Sequence, residues 1–215
     1  MGITEAIALS MGAAWASGIN LYAAVFVLGF MGTTGHMDLP PELQFLTNPL
    51  VMGAAGIMYC VEFFTDKIPG VDSGWDAVHT FIRIPAGAML AAGGMAEISP
   101  AAEAAGLLLG GSLTAATHAT KAGSRVIINS SPEPVSNWTA SVGEDMAVFA
   151  GLWSALTYPW AFLVLLLMFI IFMIWLLPRI YQGIRWMFYR LARLFGKTVV
   201  EPELMSREPA RGKPD

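Results

Sequence analysis

Residues 160–177 read "WAFLVLLLMFIIFMIWLL", 18 consecutive positions without a charge. A helix of that length reaches across the hydrocarbon core of a bilayer. The rest of the chain agrees. Of its 215 residues 55% are hydrophobic and 13% charged, and the mean hydropathy is +0.58, whereas in soluble chains roughly a quarter of residues are charged.

Apolar segments bounded by Pro, Gly and polar clusters predict about six membrane helices, at about 4–31, 48–65, 76–96, 101–125, 141–158 and 159–177. The first segment has no Lys or Arg to serve as the basic region of a signal peptide, so it reads as a retained span. Gly53 and Gly56, "AGAMLAAGG" from Ala86 and "GLLLGG" from Gly106 are small-residue stretches that let helix backbones approach closely in lipid. The single Cys60, inside an apolar run, excludes an intrachain disulfide and a multi-cysteine metal site, and reads as a packing residue.

Threading six spans with both termini inside places all twelve basic residues at or near cytoplasmic ends. The opposite connections, 33–47 and 97–103, carry acids and no Lys or Arg, as the positive-inside rule asks. His36, beside Asp38 in the first of these, reads as solvated. Past Pro178, a stripe of Arg179, Gln182, Arg185, Tyr189, Arg193 and Lys197 predicts an interfacial helix over 179–197 that binds anionic lipid rather than nucleic acid. The Pro-rich, charged tail 198–215 predicts cytoplasmic disorder.

An internal repeat is suggested by Pro69, Ser73 and Trp75, matched at equal spacing by Pro132, Ser136 and Trp138. It predicts two helix-loop-helix units, about 48–96 and 101–158, within a transmembrane domain of residues 1–178. Both tryptophans suit the headgroup zone.

The charges fall on the inner stripes of these helices. Glu62 and Asp66 share a face with Lys67 just beyond; Asp76, His79 and Arg83 follow at i, i+3, i+7, after Asp72; His118, Lys121 and Arg125 repeat that spacing; Glu144 and Asp145 lie in the next helix. Charges at membrane depth face the bundle interior and pair. The repeat offset predicts Glu62 with Arg125, and Arg83 with Glu144 or Asp145. The set can form a path for a small solute or ion, a structural lock or assembly surface, or, with Asp66, Asp72, Asp76 and His79, a metal site for a lipid phosphate. No Gly-rich phosphate loop, nucleophile elbow or HExxH pair is present, no cofactor is implied, and no catalytic residue is assigned. Deeper still, "SGIN" at Ser17–Asn20 predicts either a helix break lining a cavity or a close crossing at Gly18 with an interhelical Asn20 hydrogen bond.

The segments "SGINLY", "EFFTDKIPGVDSGWDAVHTFIRIPAG" and "THATKAGSRVIINSSPEPVSNWTASVGED" together resemble a bacterial membrane-protein family, domain of unknown function 4126, over about Ile7 to Leu156. The family carries a proline directly after its arginine, where here Ile84 stands between Arg83 and Pro85. The resemblance implies a multi-pass inner-membrane protein and brings no activity, substrate or catalytic residue. The reading is therefore an all-α polytopic bundle whose polar network handles a small solute or ion. The alternatives are a scaffold for a homo-oligomer or another membrane protein and, third, a metal-dependent lipid-phosphate enzyme.

Overall fold

The computed structural model describes residues 1–130 and 134–194, and these are built from helices without strands. The order is α1 (Ile3–Thr33), a 3-10 helix (Pro41–Thr47), α2 (Pro49–Thr65), α3 (Val71–Met95), α4 (Pro100–Ile128), α5 (Pro134–Thr157) and α6 (Pro159–Leu194). Proline opens α2, α4, α5 and α6, where its missing N–H costs no hydrogen bond. Asn48 and Ser99 cap α2 and α4 by accepting from Leu50 N (2.9 Å) and Ala102 N (3.1 Å).

The helix α1 is not one straight rod. Asn20 leaves the helical region (φ −148°, ψ 98°) and divides it into two arms. Ser10 in the first arm packs on Gly94 of α3. In the second arm Gly29 lies under Leu46 of the 3-10 helix, and Leu43 of that same turn covers Gly93. Between these points, Tyr22 meets His79, fifteen residues back along α3. Both arms therefore start from the end of the bundle where α3 finishes, and meet at Asn20 deep inside it. We call this the upper end; residues 66–70 and 129–130 mark the lower.

This reversal revises the six-span threading. Two helices, Ile3–Thr33 and Pro159–Arg190, are long and apolar enough to cross a membrane, and a third is if the 3-10 helix and α2, bent by 66°, count as one span. In α1, however, the length is folded back, so Met1 and Thr33 lie at the same end. The first helix is also not peripheral: Ala8, Ala13, Ala14, Ala16, Ala23 and Ala24 are fully buried among all the other helices.

The small residues act as expected between α3 and α4, where Gly106 and Gly110 meet Ala91 and Gly87 meets Thr114. By contrast α2 barely touches α3, and α4 barely touches α5, so the two predicted units are not packed hairpins. Trp75 and residues 135–140 lie inside helices rather than loops, because Gly70 (φ 86°) completes the first turn within the chain reversal and nothing downstream stops the helix. Pro132 lies outside the described residues.

Further corrections concern α6 and Cys60. Pro178 does not end the last helix. The helix runs through it, and Ile180 packs on Gly123 while Gly183 meets Ile127, so α4 supports the segment beyond the proline. Arg179 Nη1 donates to the Trp175 carbonyl (2.6 Å) near this interruption. Arg179, Gln182, Arg185, Arg190 and Arg193 are exposed. Lys197 and the predicted disordered tail 198–215 lie outside the described residues. Cys60 is exposed rather than packed, on the outer side of α2. His36 is exposed, as expected.

The outside of the bundle is apolar and its inside is charged. In α3, Phe81 and Met89 are 82% and 67% exposed while Asp72, Asp76 and Arg83 are fully buried. Water would select the opposite pattern, and lipid selects this one.

Candidate functional site

The charged side chains converge around the tip where the two arms of α1 meet. A helix that ends inside a protein leaves carbonyls without partners, and the one that begins there leaves N–H groups. Both needs are met. Lys121 Nζ donates to the Ile19 carbonyl (3.0 Å), closing the first arm, and Asn20 Oδ1 accepts from Ala23 N (2.9 Å), capping the second. Asn20 Nδ2 reaches Asp145 Oδ1 of α5 (3.3 Å). Gly18 lets the first arm lie directly on α4, where an added Cβ would meet the Thr114 carbonyl oxygen and Thr117 Cβ at 2.7 Å. The "SGIN" segment is thus both a break and a close crossing.

From Lys121 the network spreads in two directions. Its ammonium bridges Asp66 (2.7 Å) and Glu62 (3.3 Å), with Asp76 and Glu144 each at 3.8 Å. On the α3 side, Arg83 holds Glu62 (2.6 Å) and Asp76 (3.0 Å), and all three are fully buried. On the α5 side, Arg125 holds Glu144 (2.6 Å), Asn137 and the Asp66 carbonyl (3.2 Å). The predicted cross-pairing is therefore wrong in its partners: Glu62 takes Arg83 instead of Arg125, and Arg83 takes no acid from α5. Helix depth explains this. Once α1 turns back at mid-bundle, Lys121 occupies the centre and the two arginines flank it. Continuous pairing of this sort is what allows charges to be buried.

The histidines lie beside the network, and His118 contacts it directly. His79 stacks on Trp75 (4.1 Å between ring centres) and contacts the Trp75 carbonyl (2.9 Å) and Tyr22 Oη (3.1 Å). His118 meets Thr80 Oγ1 (2.8 Å) and Arg83 Nη1 (3.2 Å). Lys67 is half-buried at the edge, donating to the Phe63 carbonyl (3.0 Å) and Ser141 Oγ (3.4 Å) over the Phe63 ring.

The metal-site candidates are not brought together. Asp72 accepts from Gly70 N (2.8 Å), Ser73 N (2.6 Å) and Asn129 Nδ2 (2.7 Å), and so ties the start of α3 to the end of α4. Asp66 and Asp76 face Lys121 and Arg83, and His79 faces Tyr22. Among the described residues no group of three His, Cys, Asp or Glu side chains is arranged to hold a metal ion.

Four participants were not foreseen as site residues: Tyr22, Asn129, Asn137 and Ser141. Asn137, Ser141 and Asp145 follow at i, i+4, i+8, and Asn129 extends the His118–Lys121–Arg125 stripe by one turn. That signal is legible only once the helices are drawn long enough to include it.

Above the network, on the side of Tyr22, lies an apolar cavity of about 650 Å³ between the second arm of α1, the 3-10 helix, α2 and α3. Leu43, Val51, Met58 and Leu90 line it, with Glu42 and Glu103 among its walls. Tyr22 belongs to both, lining the cavity and bonding His79.

A family model described as a domain of unknown function (DUF4126) matches residues 7–179. This chain belongs to that family. The DUF4126 match takes in both arms of α1, the whole ionic network and α6 as far as Arg179, which leaves the distal basic part of α6 beyond it. No curated protein and no solved structure matches the chain.

Proposed function

We propose that this DUF4126 protein carries a small solute or ion across the bacterial inner membrane. The observation that supports this reading is the interrupted α1, whose tip rests on a buried ionic network and whose second arm lines an apolar cavity. Non-helical backbone at membrane depth is tolerated where it is buried in protein or lines a cavity, and half-helix ends are the usual places where transported ions and solutes are held. Tyr22 joins the cavity to His79, one turn from Arg83 on α3.

In this reading α2 to α6 cross the membrane and α1 dips in and returns. The basic residues of α6 and the lower connections then face the cytoplasm, with the N-terminus on the opposite side. Epitopes placed at the N-terminus and in the 34–38 connection should both react from outside intact spheroplasts. Reaction from opposite sides would remove the re-entrant assignment.

Transport is tested with dye-loaded proteoliposomes under imposed proton, Na⁺ or K⁺ gradients. The wild type should dissipate at least one of them, and Tyr22→Phe, which keeps the ring and deletes the hydroxyl, should slow it without altering thermal unfolding. A wild type that dissipates none would favour the second reading, an assembly partner for another membrane protein. That reading draws support from the dense pairing of Arg83, Lys121 and Arg125, which can hold helices together without moving anything.

A further inference from the structure

We propose that Asp145 is a proton-binding site, and that the proton it takes up is the ion to which the α1 break responds. Asp145 differs from every other acid in the network. Glu62, Asp66, Asp76 and Glu144 each have a Lys or Arg nitrogen within 4 Å, and Asp72 is saturated by N–H donors. Asp145 is 8% exposed, yet among the described residues no cationic nitrogen lies within that distance. Among the described residues its one hydrogen bond is the 3.3 Å contact from Asn20, and its Oδ2 is buried with no partner, as is one oxygen each of Glu62, Asp66 and Asp76, which have cations beside them. A carboxylate buried in that way is disfavoured against its neutral form.

The charge count is compatible with this. With Asp72 included, six acids (Glu62, Asp66, Asp72, Asp76, Glu144, Asp145) face four bases (Lys67, Arg83, Lys121, Arg125), so the set carries an excess of negative charge that a bound proton reduces. The groups around Asp145 are Asn20 on α1, Tyr59 on α2, Asp66 and Lys67 in the turn that follows it, Lys121 on α4 and its own neighbour Glu144. From α6, the first basic residue, Arg179, is engaged by the Trp175 ring and carbonyl. Lys67 and Lys121 favour the ionised form, while Asp66 and Glu144 favour the neutral one. Because Asn20 caps the second arm with one side-chain atom and touches Asp145 with another, protonation changes the contact at the hinge of α1 itself.

The inference deepens the transport reading by naming its coupling ion, but its test needs no flux. The protein in nanodiscs is titrated between about pH 4 and 9 while the infrared C=O band of a protonated, buried carboxyl is followed. The wild type should lose one such band as the pH is raised through this range. Asp145→Asn should lack the band at every pH, and Glu144→Gln should retain it. Lys67→Gln, which removes a nearby positive charge, should move the midpoint upward, and this variant decides the matter if Asp145→Asn does not fold. A band that survives Asp145→Asn, or a midpoint unmoved by Lys67→Gln, overturns the site. The band present with no flux in proteoliposomes would leave the site standing and refute transport instead.

Discussion

The two arms of α1 differ in composition, the first being rich in Ala, Gly and Ser and the second in larger apolar residues, and they differ in surroundings. The first arm is enclosed on every side: Ala13, Ala14 and Ala16 are fully buried, Trp15 sits edge-on to Phe162 and Phe169, and Gly18 lies on α4. The second arm has the cavity beside it, and its lateral support is α2, which barely touches α3. Packing without voids resists displacement, and packing beside one does not. The difference makes the second arm the less tightly enclosed of the two, although Ala23, Ala24 and Leu28 within it are fully buried and Glu62 ties the lower end of α2 to Arg83 and Lys121.

Four substitutions break or sharpen that contrast. Arg83→Ala strips the nearer of two counter-charges from Glu62 and Asp76, both fully buried, and leaves them Lys121 alone. It should cost about 3–5 kcal/mol in detergent unfolding, with part recovered by adding Glu62→Gln. Gly18→Leu strikes the first arm alone by forcing it off α4, for which we expect a loss of about 1–3 kcal/mol. Asn20→Ala removes the cap of the second arm and should cost about 0.5–2 kcal/mol, together with faster amide exchange confined to the second arm. Ala55→Leu fills the cavity wall and should change stability by less than about 1.5 kcal/mol, yet slow any flux in proteoliposomes. If Gly18→Leu and Ala55→Leu proved equally damaging, the two arms would be equally constrained and the contrast would fail.

Much of the helix layout was legible because Pro49, Pro100 and Pro159 announce their helices and Asn48 and Ser99 cap two of them. The charged stripes were legible too, since helical spacing alone puts His118, Lys121 and Arg125 on one face. Partner choice was not legible. It depends on how deep each helix sits relative to its neighbours, and that depth follows from where α1 turns. The turn itself left a trace in Ser17, Gly18 and Asn20, but an 18-residue apolar window reads the same whether a helix crosses or returns. The start of α5 was missed because Pro134 to Ala140 resembles a loop in composition, although Pro134 occupies the helical N1 position; with it went Asn137. Pro178 was misread because a proline ends an isolated helix, whereas here α4 holds the continuing turn in place.

The reversal at Asn20 also fixes an order of assembly. The partners of this tip are Lys121, 102 residues downstream of Ile19, and Asp145, 125 residues downstream of Asn20. While α1 emerges from the ribosome neither has been synthesised, so the Ile19 carbonyl and the Asn20 amide have only water to satisfy them. This tip therefore reaches its final contacts only after α4 and α5, made later, have arrived, and until then water is the partner open to it.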